Sequence, residues 1–205
     1  MIRIRLLGPK KEKVMAVEMP AQHSPSGVSQ NSLDERVHDL LFGVRRSIRY
    51  HNHRRRFFDG FDRFVKVLSV VGGSGAVVSA ISSVHEVTIG LAAVIAFLSA
   101  ISLIVGPAQA ARLHEELAKR FSGLEHAIAL TSDWTANRLR KFEADRLLIE
   151  AEEPPIMRVL DSQCHNELCR AMGYHDCEFV QIDPLQAFFS QIVDLWPSRI
   201  KRKKT

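Results

Sequence analysis

The chain has 205 residues, with 28 Lys and Arg against 23 Asp and Glu, a formal net charge of +5 and 46% hydrophobic residues. These totals are typical of one ordinary domain with an appendage, and they exclude collagen-like and disordered classes. The charge is unevenly distributed, because residues 67–111 contain a single formally charged side chain, Glu86. An apolar centre between charged arms argues against a water-soluble enzyme.

The N-terminal sequence predicts a small β element. Residues 1–19 alternate apolar and polar side chains on either side of Gly8 and Pro9, which is typical of a β-hairpin. They lack the apolar core and cleavage site of a secretory signal, so any membrane insertion is expected from an internal segment. Residues 20–31 are rich in proline and serine and predict a flexible linker.

Residues 32–66 predict a basic amphipathic helix. Ser32 and Glu35 have the spacing of a capping box at its start. No proline or glycine pair interrupts the sequence before residue 67, so we expect this helix to continue into the apolar centre. Its apolar stripe consists of Leu33, Val37, Leu40, Leu41, Val44 and Ile48.

Residues 45–56 within this helix contain six arginines and two histidines. Three interpretations remain open: attraction to anionic lipid, capture of an anionic cytoplasmic ligand such as a nucleotide signal, and binding of nucleic acid. Nucleic acid is the least favoured, because a membrane-proximal helix leaves little room for a duplex. The arginines are Arg45, Arg46, Arg49, Arg54, Arg55 and Arg56.

Residues 67–84 and 87–111 carry no formal charge. As helices they would span about 27 Å and about 37 Å, against a hydrocarbon core of about 30 Å. The link over residues 82–86 is too short for a folded domain, so the two segments predict a transmembrane hairpin. The alternative is a pair of buried helices in a soluble bundle. Apolar residues around the whole circumference and the glycine-rich run at 72–75 favour the membrane.

Small residues recur at every fourth position of both apolar segments, a spacing that allows close helix contact. The two helices of one hairpin could use these faces on each other, or neighbouring chains of an oligomer could. The serine side of the second segment, Ser99 and Ser102, would line a narrow pore or bond back to the helix. The small residues are Gly72, Gly75, Ala76, Ser79 and Ala80, then Ala92, Ala96 and Ala100.

The flanks of the hairpin predict its orientation. Lys and Arg are frequent before residue 67 and after residue 111, whereas the link between the segments contains none. By the positive-inside rule, both termini are expected in the cytoplasm. Four aromatic residues would then lie at the cytoplasmic interface: Phe57, Phe58, Phe61 and Phe64.

Residues 112–153 predict a second long amphipathic helix that ends by Pro154 and Pro155. Its apolar positions match those of the first arm, so the two helices are expected to pair as a cytoplasmic stalk. These positions are Leu113, Leu117, Phe121, Leu124, Ile128, Thr131, Trp134 or Thr135, Leu139 and Phe142.

Residues 154–205 predict a helical region with a basic tail. One helix is expected over about 155–172 and ends at Gly173. Asp183 and Pro184 begin another helix, which is either an interfacial helix with a basic anchor or a helix packed on the stalk. Residues 177–182 are a further strand candidate. The apolar residues of the last helix are Leu185, Phe188, Phe189, Ile192, Val193, Leu195 and Trp196.

Residues suited to chemistry are few. Three clustered cysteines make no disulfide framework and indicate a reducing compartment. A zinc site is geometrically conceivable, but the spacing fits no familiar zinc module, so buried thiols and surface histidines are preferred and no metal or cofactor is predicted. We find no phosphate loop, HExxH motif or nucleophile elbow, and predict no enzyme activity. The conceivable ligands are His165, Cys169, His175 and Cys177, with Cys164 beside them.

The layout over residues 33–150 resembles the SLATT family of two-transmembrane effectors in bacterial conflict and nucleotide-signalling systems. The resemblance lies in the order of elements and in the pattern AxxARLHEELAKRFSGLEHAI. It implies a bacterial inner-membrane protein that oligomerises and permeabilises the membrane when a phage-sensing partner signals. The matching positions are Ala108, Ala111, His114, Arg120, Phe121 and Leu124.

The predicted fold class is a mainly α membrane protein: a two-helix transmembrane hairpin with a long cytoplasmic helical stalk and a small β element. The expected partners are the lipid bilayer, further copies of the chain, and a cytoplasmic sensor protein or nucleotide signal. Two alternatives to a permeabilising effector remain, a non-conducting membrane scaffold that recruits a cytoplasmic partner and a soluble helical interaction protein.

Overall fold

The computed structural model describes residues 30–74, 85–174 and 179–202. These residues are 79% helical with almost no strand, which confirms a mainly α fold. The predicted β-hairpin over 1–19, most of the linker, and residues 75–84, with most of the link of the apolar hairpin, lie outside the described residues.

Helix α1, Gln30–Gly72, is a single helix of 43 residues, about 65 Å long. It confirms that the basic arm continues without a break into the apolar centre. The helix begins before Ser32, so the predicted capping box does not mark its start.

The glycine-rich run ends α1 at Gly72. The amide of Gly73 still donates to the Ser69 carbonyl at 3.0 Å, and the hydroxyl of Ser74 donates to the Val71 carbonyl at 2.8 Å. These bonds satisfy carbonyls that a continuing helix would have used. The prediction of one uninterrupted helix over 67–84 is therefore wrong, because glycine loses more backbone entropy in a helix than any other residue.

The second apolar segment is also broken. Helix α2, His85–Val105, and helix α3, Pro107–Ala129, meet at an angle of 41°. Gly106 between them has φ 58° and ψ 56°, a left-handed conformation that glycine adopts freely. The following proline has no amide hydrogen and a fixed φ, and it starts α3. The predicted continuous helix from residue 87 into the stalk is wrong for this reason.

The predicted second arm, residues 112–153, is two helices. Residues 130–135 form a corner, and helix α4, Ala136–Glu150, follows it. The side chain of Thr135 accepts a hydrogen bond from the Arg138 amide at 3.2 Å and caps α4. The corner contains Thr, Ser and Asp, whose side chains compete with helical backbone bonds. The threonines of this corner therefore lie between α3 and α4, and they do not continue the predicted apolar stripe.

α1, α3 and α4 form a three-helix bundle. α3 lies antiparallel to α1, and α4 turns back beside α1, where Arg36 pairs with Glu143 at 2.8 Å. The predicted pairing of the two apolar stripes is confirmed, but the stalk is a bundle with three members. The buried core consists of Leu33, Leu40, Val44, Leu117, Phe121, Leu124, Ile128, Leu139 and Ile149.

Helix α5, Arg158–Ala171, packs against the middle of α1. It confirms the predicted helix, although the two prolines at 154 and 155 delay its start. Gly173, with φ 72°, follows its end as predicted. Tyr50 of α1 buries its ring here beside Leu160 and Cys164, and its hydroxyl accepts a hydrogen bond from the Met157 amide at 3.0 Å.

The C-terminal segment differs from its prediction. Helix α6 is only Pro184–Phe189, and the predicted helix through Trp196 is wrong. A proline at 197 disfavours helix at the preceding residue. A 3₁₀ turn, Pro197–Arg199, then leads into strand β2, Lys201–Arg202, which pairs antiparallel with β1, Val180–Gln181. The strand candidate over 177–182 is thus confirmed at two residues, and its partner is part of the predicted basic tail.

Phe121 tests the bundle core. Its side chain is fully buried between α1 and α3, so Phe121→Ala should lower the free energy of unfolding by about 3–5 kcal/mol through a cavity. Thermal unfolding of the full chain in detergent, followed by circular dichroism, measures this. Leu147→Ala on α4, where the side chain is 63% exposed, is the control and should change little. Equal effects of the two substitutions would contradict this packing.

Candidate membrane interface

The apolar segments expose large side chains on the sides that do not face each other. Val70 of α1 is 74% exposed, and Leu103 and Ile104 of α2 are 86% and 85% exposed. Among the described residues, no single helix has both the length and the hydropathy of a membrane span, whereas the bent pair of Ile89–Val105 and Pro107–Ala129 passes as a unit. The other exposed apolar residues here are Phe64, Val67, Val71, Ile89, Val94, Phe97 and Val105.

The end of α1 packs closely on α2 at Gly72. A Cβ atom added there would collide with the Ile95 side chain, so the glycine permits this contact. The predicted small face of α1 beyond it, Gly75, Ala76, Ser79 and Ala80, lies outside the described residues. The small face of α2 is exposed and is not covered by α1; its members are Ala92, Ala96 and Ala100.

The serine side of α2 faces α1 near the basic end of the hairpin. Ser99 and Ser102 line a cavity of about 380 Å³ together with Asp62 and Val65 of α1. The carboxylate of Asp62 pairs with Lys66 one helical turn later, at 2.6 Å. The predicted weakly polar side therefore lies between the two helices of one chain.

Three of the six arginines pair with carboxylates from other helices of the bundle. These groups are partly exposed, so each pair contributes little to the free energy of folding. Together they fix how α3 and α5 lie against α1, a role that the sequence analysis did not foresee. The pairs are Arg45–Glu125 at 2.7 Å, Arg46–Asp161 at 3.1 Å and Arg55–Glu115 at 3.9 Å.

Arg54 ties the C-terminal segment to α1. Its guanidinium donates to the carbonyl of Gln191 at 2.6 Å and lies 4.5 Å from the centre of the Phe58 ring. Among the described residues, the one hydrogen-bond acceptor of the Arg49 side chain is the carbonyl of Arg45, at 3.4 Å, whereas Arg56 is exposed. Attraction to anionic lipid stays a prediction, for which Arg56 is the best placed of the six.

A buried histidine pair joins α1 to α3. The Nδ1 atoms of His51 and His114 lie 2.9 Å apart, and Nε2 of His51 lies 3.0 Å from Oε1 of Glu153. The two rings are 1% and 3% exposed. His51 stacks on Phe121 and His114 on Phe58, so aromatic rings enclose the pair.

The geometry limits the charge of this pair. Glu153 accepts a hydrogen bond from Nε2 of His51. In a neutral His51 the other nitrogen, Nδ1, then carries no hydrogen and accepts a hydrogen bond from Nδ1 of His114. A protonated His51 would instead donate from Nδ1 to His114. Two protonated rings would place two N–H groups against each other. Burial, with smaller contributions from the charges of His51 and Arg54, lowers the pKa of His114 from 6.5 to about 4.

Sequence reasoning missed this cluster although a signal was present. His51 continues the heptad spacing of Leu40 and Val44 toward Phe58, so it falls on the core face of α1. On α3 the prediction placed Leu113 in the stripe, but Leu113 is 43% exposed and its neighbour His114 is buried. The basic composition of the surrounding run concealed the pattern.

The cysteine and histidine cluster is only partly described. Nε2 of His165 lies 3.4 Å from Sγ of Cys169 on successive turns of α5. His175 and Cys177 lie outside the described residues, and among those described no three His, Cys, Asp or Glu side chains group as metal ligands. Burial raises the pKa of the Cys164 thiol to about 12, so this thiol is unreactive at neutral pH.

The chain matches no family model, and neither curated proteins nor solved structures show significant similarity to it. The SLATT resemblance therefore stays a prediction. The residues that carry it include Ala111, His114, Phe121 and Leu124, which are four of the eight buried residues of α3. This part of the pattern specifies the packing of α3 in the bundle.

The depressed pKa of His114 predicts a loss of stability in acid. The unfolded chain binds a proton below about pH 6.5, whereas folded His114 stays neutral down to about pH 4. The contribution is thus complete above pH 6.5 and falls by up to about 3 kcal/mol as the pH drops toward 4. Melting temperatures of the full chain in detergent between pH 7.5 and pH 4.5 should show this decline.

His114→Phe should flatten that pH profile, because it removes the titrating ring and keeps an aromatic one. His126→Gln is the matched control, since His126 is an exposed histidine on the same helix, and it should leave the profile unchanged. If both variants followed the wild-type profile, His114 would not carry the pH dependence.

Proposed function

We propose that this chain is a bacterial inner-membrane effector that oligomerises and permeabilises or depolarises the membrane, in anti-phage defence. The carrying observation is the exposed apolar surface of α2 and the end of α1, where no formally charged residue occurs from 67 to 74 or from 87 to 111. The SLATT resemblance supports the defence role.

The exposed apolar surface supports a lipid environment. Soluble monomers rarely expose contiguous apolar patches of more than a few hundred Å². Here half of the large exposed apolar side chains, ten of twenty among the described residues, lie on α2 and the adjoining end of α1, whereas the core of the bundle below them is buried. A bilayer would cover the first group and leave the charged surface of the bundle in water.

The charge at the entrance of the hairpin supports its orientation. Arg63 precedes the apolar end of α1, Arg112 follows the apolar end of α2, and both are exposed. The bundle, which lies on this same side, carries the basic run of α1. By the positive-inside rule, this side and both termini face the cytoplasm.

The exposed alanine stripe of α2 supports association between chains. Because α1 contacts α2 through other positions, Ala92, Ala96 and Ala100 are available to a second helix. Small residues at this spacing let membrane helices approach closely. The stripe thus supports contact between neighbouring chains, and the part of the first apolar segment that the structure describes leaves it exposed.

Membrane fractionation with a carbonate wash, combined with a membrane-potential dye during expression, tests the proposal. The chain should remain in the pellet, and the potential should collapse when it accumulates or when its trigger is present. An integral chain that never changes the potential would favour the non-conducting scaffold. A chain in the soluble fraction would contradict the membrane proposal as a whole.

Ala96→Leu tests the stripe. The larger side chain should separate the contacting helices and reduce both cross-linked oligomers and depolarisation by at least about tenfold. Val94→Leu, about 160° away around α2, is the control and should retain both. If Ala96→Leu still cross-linked and depolarised like wild type while remaining in the membrane, the stripe would not be the contact.

A further inference from the structure

The C-terminal segment exposes a second apolar surface, far along the chain from the hairpin. Phe188 is 77% exposed and Trp196 is 50% exposed. The C-terminal apolar surface, as we call it, consists of Leu185, Phe188, Ile192, Val193 and Trp196.

The backbone at Trp196, which carries part of this surface, is in a strained conformation. Among the described residues, Trp196 alone is a non-glycine residue with a positive φ, at 44°, a backbone conformation that is strained for a bulky side chain. The buried amide of Gln186 maintains it by donating to the carbonyls of Leu195 and Trp196 at 2.8 and 3.2 Å. Strain that keeps a tryptophan in water is typical of a binding surface.

The segment that carries this surface is strongly basic in sequence. Residues 185–205 contain five Lys and Arg and a single acid, Asp194. Asp194 faces the start of α5. Its carboxylate accepts hydrogen bonds from the backbone amides of Arg158 and Val159, at 2.7 and 3.0 Å. The guanidinium of Arg199 lies 5.2 Å from the Trp196 ring, so a cation borders the apolar surface directly.

The surface is attached to α1 close to the proposed bilayer. Arg54 binds the carbonyl of Gln191, and about 20 Å of helix separates Arg54 from the start of the charge-free stretch at Val67. Membrane helices tilt by up to about 40°. Tilting α1 toward the C-terminal segment shortens the distance between this surface and the headgroups.

We propose that the C-terminal apolar surface docks on anionic phospholipid of the cytoplasmic leaflet and is a second membrane attachment of the chain. Exposed aromatic and aliphatic side chains enter the interface, and Arg199, which borders Trp196, faces the anionic headgroups. Docking needs no pore, so it goes beyond the permeabilising function and does not depend on conduction.

Trp196 fluorescence in lipid nanodiscs tests the docking. The full chain carrying Trp134→Phe has Trp196 as its one tryptophan, and Trp134, which packs on Phe142, tolerates this conservative change. In discs with phosphatidylglycerol, Trp196 emission should shift to the blue and be quenched by brominated lipid. In phosphatidylcholine discs and in high salt the quenching should weaken.

Two sets of variants locate the contact. Changing Arg199, Lys201 and Arg202 to Gln should lower the equilibrium constant for docking by about 100-fold, since each cation near an anionic leaflet contributes about fivefold. Phe188→Ser with Ile192→Ser should abolish the quenching. Leu147→Ser with Leu148→Ser is the matched control, because these leucines of α4 are equally exposed, and it should leave the quenching unchanged.

Other outcomes overturn the proposal. Emission that is unquenched and independent of phosphatidylglycerol would mean that the surface stays in water. A blue shift without quenching by brominated lipid would mean that protein, such as a second copy, covers it. Carbonate resistance of the same variants reports hairpin insertion separately, so failure of docking and failure of the proposed function are distinguishable.

Discussion

The contact between α1 and α3 is the interaction on which the described structure depends. α1 packs against α2, α3, α4 and α5, so every larger element is positioned by one helix. Because α1 is continuous over 43 residues, its basic half and its apolar end share one axis. The position at which the bundle stops and the proposed bilayer begins is therefore set along that axis, and it cannot shift without repacking Phe121 and its neighbours.

The interior of this contact changes character along its length. Far from the hairpin it is aliphatic, with Leu40 and Val44 facing Leu124 and its neighbours. Nearer the hairpin it becomes aromatic and polar, at the histidine pair and Phe58. Buried polar groups specify register more strictly than aliphatic ones, because a shifted helix leaves a donor or acceptor unpaired. The histidines thus fix how far α3 slides along α1, and the arginine pairs add to this.

The sequence predicted the helices and their facing stripes, because a repeat of three to four residues is a local property of the chain. It failed at the ends of elements. Gly106 breaks an apolar segment that composition alone makes continuous, and Thr135 starts a helix inside what looked like one long stripe. The basic run was interpreted from its charge, but the partners of Arg45 and Arg46 come from remote helices. Such pairs depend on tertiary packing, which a single sequence does not reveal.

The bend at Gly106 has a mechanical consequence. α2 extends for 21 residues beyond it, about 31 Å, so a rotation of about 10° in the backbone of this one residue displaces the far end of α2 by about 5 Å. The φ angle of the following Pro107 is fixed by its ring, whereas glycine has the widest range of φ and ψ. Backbone rotation between α2 and α3 is therefore easiest at Gly106. A change too small to disrupt the packing of the bundle is thereby enlarged to nearly the rise of a helical turn at the opposite end of the hairpin.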